Sequence, residues 1–296
     1  MAIKPEYAAA CNNRGNTLRD LKQLDEALAS YDKALVIKPD FADAYYNRGN
    51  VLSELNRMDE ALASYDKALV IRPDDAESHY HRANALRELN RMDEALASYD
   101  KALAIRPDDA ESHYYRGNTL IDLKRLDEAL VSYDKALAFN PDYAEAHNNR
   151  GNTLALLNRM DDAHASFGKA LAINPDYEFL FGAYLHTKMK VCDWIGLSDN
   201  LYRFETEVYR KKKVTVPFPA LSLIDKPELH QLTSQVYAKA KYLHNPANFE
   251  QKIRYASNTN SGKDRTVNPQ KIEHFFTLSG KGVRSLRKPI LHSSAG

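Results

Sequence analysis

This chain is short of what catalysis, secretion or a membrane span requires. Only two of its 296 residues are cysteine, Cys11 and Cys192, far apart in helical stretches, so no disulfide framework is expected and both thiols read as free and buried in a reducing compartment. The segment Met1-Ala2-Ile3-Lys4-Pro5 has no apolar core for a signal peptide, and no apolar run is long enough to span a bilayer. A cytoplasmic location without a membrane partner is expected from these two absences. There is almost no excess charge of either sign: 41 Lys and Arg stand against 40 Asp and Glu, a net charge of +1, which leaves no general field for nucleic acid. Glycine-rich loops are missing too, since Gly280-Lys281-Gly282 is too short to cradle a phosphate. The ten histidines show no paired metal spacing, and His79, His81 and His113 read as packing or groove residues, so neither a metal nor a cofactor is expected. Cys192, without a base partner, and Trp194 read as core.

What the chain has instead is a period. Pro39, Pro73, Pro107, Pro141 and Pro175 recur every 34 residues, as do Asp25, Asp59, Asp93, Asp127 and Asp161. Each of these aspartates opens an Asp-(Glu/Asp)-Ala step, and a (Tyr/Phe)-x-Lys-Ala-Leu run follows from Tyr31, Tyr65, Tyr99, Tyr133 and Phe167. Self-similarity at this interval marks a solenoid of helix pairs, in which one unit cannot bury its apolar face alone. The expected fold is therefore all-α, a right-handed solenoid of five pairs over residues 1–177, with units 8–41, 42–75, 76–109, 110–143 and 144–177.

In the unit 42–75 the pattern predicts helices from Ala42 to about Leu55 and from about Asp59 to Ile71. Asp40 is expected to cap the first helix, with Asp43 three residues on, and Asp59 the second, while Pro73 stops it. Gly49 and Ala61 allow the two helices to cross closely, Ala68 admits the next unit, and Leu52, Tyr65 and Leu69 fill the space. This order of Gly, Leu, Ala, aromatic, Ala and Pro resembles the tetratricopeptide repeat (TPR) over roughly Ala8 to Tyr177. An arginine precedes the glycine position at Arg14, Arg48, Arg82, Arg116 and Arg150, and an aspartate follows the aromatic at Asp32, Asp66, Asp100 and Asp134, with Gly168 in the fifth copy. Two readings stand here: an ion pair between the two helices of one unit, such as Arg48 with Asp66, or solvated surface charge. In the third unit Ala83 takes the glycine's place.

The resemblance implies that the first helix of each pair lines a concave inner face. One position on it reads Asn13, Asn47, His81, Tyr115, Asn149, and another Asn16, Asn50, Asn84, Asn118, Asn152. An asparagine ladder can grip the backbone of an extended peptide with little regard to its side chains, or it can bond neighbouring repeats; both readings stand. Beside it Tyr46, Tyr80 and Tyr114 form either a binding stripe or half-buried packing. Paired Lys and Arg for an acidic peptide terminus are missing, because Asn12, Tyr46 and Tyr80 stand there beside Asp43 and Glu77.

After Glu178 the period stops while helical patterning continues, with an amphipathic stretch from Leu197 to about Tyr209 and a helix from Pro227 to about Tyr242. The run His186 to Trp194, the Pro217-Phe218-Pro219 segment and Asp225-Lys226-Pro227-Glu228-Leu229 resemble the linker of protein O-GlcNAc transferase and SPINDLY-like proteins. Residues 178–250 then correspond to the region before a catalytic half, but after Lys252-Ile253-Arg254 the chain departs from that family. Residues 251–296, with seven basic residues from Tyr255 onward and little patterning, read as a low-order tail. The expectation is a module binding a protein or peptide, without nucleic acid, membrane or cofactor. The alternative is a UDP-GlcNAc-dependent glycosyltransferase homologue or subunit. Self-association through exposed end repeats is a third expectation.

Overall fold

A computed structural model of the protein describes residues 5–242, and among these residues every regular element is a helix. Ten helices form five antiparallel pairs: α1 (Pro5–Asp20) with α2 (Leu24–Ile37), α3 (Ala42–Glu54) with α4 (Met58–Ile71), α5 (Ala76–Glu88) with α6 (Met92–Ile105), α7 (Ala110–Asp122) with α8 (Leu126–Phe139), and α9 (Ala144–Leu156) with α10 (Met160–Ile173). Each pair stacks on the next, α2 on α3, α4 on α5 and so on, as a solenoid requires. The first helices also meet one another, α1 with α3, α3 with α5 and α7 with α9, whereas the second helices do so at most marginally. The first helices therefore form the inner face. The tail 251–296 lies outside the described residues.

The turn inside each pair closes with one residue in the left-handed region: Lys22, Asn56, Asn90, Lys124 and Asn158, all at φ between 59° and 64°. Arg57 N–H then reaches back to Leu52 C=O at 2.8 Å and Asn56 N–H to Ser53 C=O at 3.0 Å, which satisfies two terminal carbonyls. The capping expectation is corrected here. The residue flanking α3 is Phe41, not Asp40, and the residue flanking α4 is Arg57, not Asp59; neither makes a side-chain capping bond. Asp40 falls one residue too early, in the turn, and Asp59 already lies in the first helical turn, where its charge opposes the helix dipole.

The core of each pair is a ring laid on a small residue, glycine in four pairs and Ala83 in the third. A Cβ added to Gly49 would lie 2.6 Å from Tyr65 Cε1, and one added to Gly117 would lie 2.6 Å from Tyr133 Cε1. Tyr31, Tyr65, Tyr99, Tyr133 and Phe167 are essentially fully buried, with Leu52, Leu86, Leu120 and Leu154 against them. Ala27, Ala61, Ala95, Ala129 and Ala163 are fully buried too, where the paired helices cross.

The arginine–aspartate pairs exist, but they bridge successive units rather than the helices of one unit. Arg48 Nε lies 2.8 Å from Asp32, Arg82 2.6 Å from Asp66, Arg116 2.7 Å from Asp100 and Arg150 2.6 Å from Asp134. The other arm of Arg48 donates to Ser64 in its own unit at 2.7 Å. The offset arises because the arginine stands on a first helix, which packs against the second helix of the preceding pair as well as its own. Both ends of the array follow from this. Arg14, with no second helix before it among the described residues, is exposed. Gly168 would pair with position 184, and there Tyr184 stands instead of arginine, 3.5 Å from where a Cβ on Gly168 would sit. A double-mutant cycle on Arg82 and Asp66 is expected to give a coupling of about 0.5–1 kcal/mol, since the aspartate is half in water. The same cycle on Arg48 and Asp66 should give none.

Three histidines tie units together at their other edge. His79, His113 and His147 place Nε2 2.9, 2.9 and 3.0 Å from the carbonyls of Pro73, Pro107 and Pro141. Burial lowers all three pKa values, against the raising effect of the proline carbonyls. Lys101 and Arg82 around His79, with equivalents at the other two, lower them further, while Asp75, Asp109 and Asp142 oppose. The unfolded chain thus binds these protons more readily than the folded one. The stability they confer is present above the unfolded value of about 6.5 and is lost as pH falls through the folded values. Melting temperature is expected to drop between pH 7 and pH 5.5, with a shallower slope when all three are changed to asparagine; an unchanged slope would assign the effect elsewhere.

Beyond the repeats, α11 (Leu180–Lys190) packs on α10 and continues the stack, followed by α12 (Leu197–Tyr209) and a short α13 (Pro217–Leu223). Phe181, Leu185, Phe204, Val208, Leu223 and Leu229 make their core. The segment around Thr215 passes so close to α11 that only glycine fits at Gly182, whose N–H donates to Val214 C=O at 2.8 Å. Two expectations are corrected here: Cys192 is exposed, at φ 55°, and Trp194 is 58% exposed. The chain reverses at Cys192, with Asp193 N–H on Lys188 C=O, and turns both side chains away from a core that α12 and α13 already fill. Cys11 is partly buried. The last helix, α14, runs Pro227–Tyr242. From Ser234 its residues belong to a second compact unit, in which Lys241 donates to the Tyr237 hydroxyl at 3.1 Å.

Candidate functional site

The inner face is built from one side of α1, α3, α5, α7 and α9, and the asparagines on it divide into two groups. Asn16, Asn50, Asn84 and Asn118 accept hydrogen bonds from the buried hydroxyls of Tyr31, Tyr65, Tyr99 and Tyr133, at 2.8, 2.8 and 2.7 Å for the first, second and fourth. Burial pushes the Tyr31 hydroxyl up to about 12 and raises the other three as well, so all four remain donors. The fifth copy is the control within the chain. Phe167 has no hydroxyl, and Asn152 stands exposed. Asn50→Ala is therefore expected to lower stability by about 0.5–1.5 kcal/mol, because it leaves the buried Tyr65 hydroxyl with only Ser53, at 3.3 Å, as a partner, while Asn152→Ala should change it by less than about 0.5 kcal/mol. Urea denaturation of both variants checks this.

At the other asparagine position, Asn47 donates to Asn12 at 3.0 Å, and Asn149 donates to Asn118 at 2.9 Å and to the Tyr114 hydroxyl at 3.2 Å. Asn13 is exposed. Between these amides runs a continuous track of six rings. Tyr46 meets His81 at 5.5 Å, His81 meets Tyr80 at 5.1 Å, Tyr80 meets Tyr115 at 5.9 Å, Tyr115 meets Tyr114 at 5.1 Å, and Tyr114 meets Tyr143 at 4.8 Å between centroids. All six are half-buried, so each keeps part of its surface in water. Tyr115 falls in the inner-face column read from the repeats, whereas Tyr143 escapes such a reading because it departs from its column, standing where other units have Phe41, Asp75 and Asp109. A tyrosine at Tyr177 repeats the substitution.

The charge on this face is carried by carboxylates. Tyr80 donates to Glu111 at 2.7 Å and Tyr46 to Glu77 at 3.4 Å. Burial raises the pKa of Tyr46, Tyr80, Tyr115 and Tyr143 and lowers that of His81, so these rings are neutral at physiological pH. Asp43 is paired with Arg72 at 2.9 Å and Glu77 with Arg106 at 3.8 Å. Arg87 lies 5.6 Å above the Tyr115 ring with its Nε buried and unpartnered among the described residues.

Two clefts lie elsewhere, on the outer side between successive second helices. One of about 570 Å³ is lined by His147, Arg150, Ser166 and Lys169, and one of about 600 Å³ by their equivalents His113, Arg116, Ser132 and Lys135. Their arginines are committed to the inter-unit pairs, so these clefts read as the outer seams of the stack. Among the described residues no group of His, Cys, Asp and Glu is arranged to hold a metal, and no helix is long and apolar enough to cross a membrane.

The family model described as TPR repeat matches residues 15–56, 83–123 and 117–158, and the one described as tetratricopeptide repeat matches residues 42–75 and 144–177. Among solved structures, YrrB, described as a TPR protein with an unusual peptide-binding site, is 31% identical with a TM-score of 0.52; the match covers 56% of this chain and 86% of YrrB. A MamA structure matches at 21% identity and TM-score 0.55 over 58% of this chain and 94% of its own. A structure from the functional characterization of Pseudomonas aeruginosa pilF matches at 18% identity and TM-score 0.59 over 69% and 91%. At these identities the last two show the fold alone. No curated protein matches the chain.

Proposed function

This chain belongs to the tetratricopeptide repeat family, and from that premise we propose that it is a non-catalytic interaction module which lays an extended polypeptide along its inner face. The observation that carries the reading is the six-ring track from Tyr46 to Tyr143, which crosses three successive units on the face where the first helices converge. The core is already filled by Tyr65, Tyr99 and Tyr133, so the track is not needed to close it. Rigid, amphipathic rings with part of their surface in water are the side chains that contribute most to protein contacts. Asn13, Asn47, Asn149 and Asn152 flank the track with amide groups suited to a peptide backbone. The peptide-binding site attributed to YrrB supports the same reading.

The test is a selection from displayed random peptides, followed by titration of the enriched sequences against the wild type and a Tyr80→Ala/Tyr114→Ala variant. A loss of about tenfold or more per ring is expected, the range of interface anchor residues. Equal binding to the variant would move the site off this face.

The resemblance of residues 174–254 to the linker of O-GlcNAc transferase rests on the motifs quoted above alone, and the neighbours named here are TPR proteins. Calorimetric titration with UDP-GlcNAc is expected to give no heat of binding; a clear isotherm would restore the glycosyltransferase reading. Self-association through the end units would show as concentration-dependent sedimentation.

A further inference from the structure

Resting on the peptide-binding reading above, we infer that the inner face selects a peptide carrying basic side chains, and that an arginine or lysine seats in the corner formed by Glu111 and Glu145 with Tyr114, Tyr115 and Tyr143. Acidic residues in the first turn of α3, α5, α7 and α9 (Asp43, Glu77, Glu111, Glu145) have a structural use, since each opposes its helix dipole. That use does not distinguish the four. Their partners do. Asp43 and Glu77 are paired with Arg72 and Arg106, which stand at the ends of α4 and α6. At the equivalent places after α8 and α10 the chain has Asn140 and Asn174, so Glu111 and Glu145 make no ion pair among the described residues.

The rings crowd at the same end. Tyr114 lies 5.1 Å from Tyr115 and 4.8 Å from Tyr143, and Tyr80, which donates to Glu111, lies 5.9 Å from Tyr115. Uncompensated carboxylates beside exposed ring surface are the surroundings a guanidinium or ammonium favours: it gains the charge directly and the ring faces by cation–π attraction. The fold already makes one such contact here, with Arg87 over the Tyr115 ring at 5.6 Å. Arg87 is also the cation against which an incoming basic group must compete, and it stands at the far end of its helix from Glu111 and Glu145. With a net charge of only +1 the protein as a whole neither attracts nor repels a basic peptide, so any preference must arise locally.

The experiment uses the whole chain and three labelled probes of equal length, alternating alanine with arginine, glutamine or glutamate, followed by fluorescence anisotropy at physiological salt. The arginine probe is expected to bind at least about tenfold more tightly than the glutamine probe, a difference that shrinks as salt is raised. Glu111→Gln/Glu145→Gln should remove the difference, and Asp127→Asn on the outer helix α8 should leave it intact. If arginine and glutamine probes bind alike, or the glutamate probe binds best, and binding is still lost in Tyr80→Ala/Tyr114→Ala, the basic preference is overturned and the groove stands. If no probe binds, or binding survives the tyrosine variant, both readings fall.

Discussion

Tyr99→Ala is expected to cost about 3–5 kcal/mol and to divide the solenoid into two unfolding units. Tyr99 is fully buried at the middle of the array, against Ala83, Leu86 and Leu62. Removing the ring empties a site where backbone on both sides is held by helix ladders and collapses poorly. It also takes away the hydroxyl that donates to the half-buried Asn84. A repeat contacts only its neighbours, so weakening the third unit interrupts cooperativity between units one–two and four–five. Urea unfolding followed by circular dichroism should change from one transition to two. Tyr99→Phe should cost only about 1 kcal/mol, because it keeps the ring and loses one hydrogen bond. The fifth unit, with Phe167 in this place, is built that way already.

Gly117→Val is expected to be of similar size for the opposite reason. The added Cβ would lie 2.6 Å from Tyr133 Cε1 and 2.9 Å from Cδ1, and the ring is buried with nowhere to move. Overpacking by a branched side chain against a fixed ring costs about 3 kcal/mol or more, well above the few tenths that valine gains over glycine as a helix former. Gly117→Ala is different. Alanine gains close to 1 kcal/mol in helix propensity, which offsets most of the strain of one methyl group. Ala83 shows that the fold accepts that methyl against Tyr99. A valine variant with the wild-type urea midpoint would overturn the ring-on-glycine account.

The pairing of helices and the identity of the core are legible in the sequence because each is repeated five times. Tyr65, Ala61 and Gly49 announce themselves by recurrence. The partner of a repeated residue is not legible in the same way. Arg48 stands nearly midway along the period between an aspartate in its own unit and one in the preceding unit, and only the stacking of first helices onto earlier second helices selects Asp32. The caps escape for a related reason, since a shift of one residue between Asp40 and Phe41 lies within what an aspartate-rich turn conceals. Cys192 and Trp194 mislead because hydrophobicity predicts burial only where the chain does not reverse, and the left-handed residue at Cys192 carries no sequence mark such as glycine. On the inner face the asparagine column is visible, but its division into hydroxyl acceptors and exposed amides needs the contacts. One residue does reveal it in retrospect: Phe167, without a hydroxyl, leaves Asn152 free.

The most direct test of the account is to map where a bound peptide lies. A selected peptide carrying a photo-activatable cross-linker, irradiated on the wild-type chain and analysed by mass spectrometry, is predicted to mark residues of α3, α5, α7 and α9 around Tyr46, Tyr80 and Tyr114. Adducts on α4, α6, α8 and α10, or on the helices after the repeats, would contradict it.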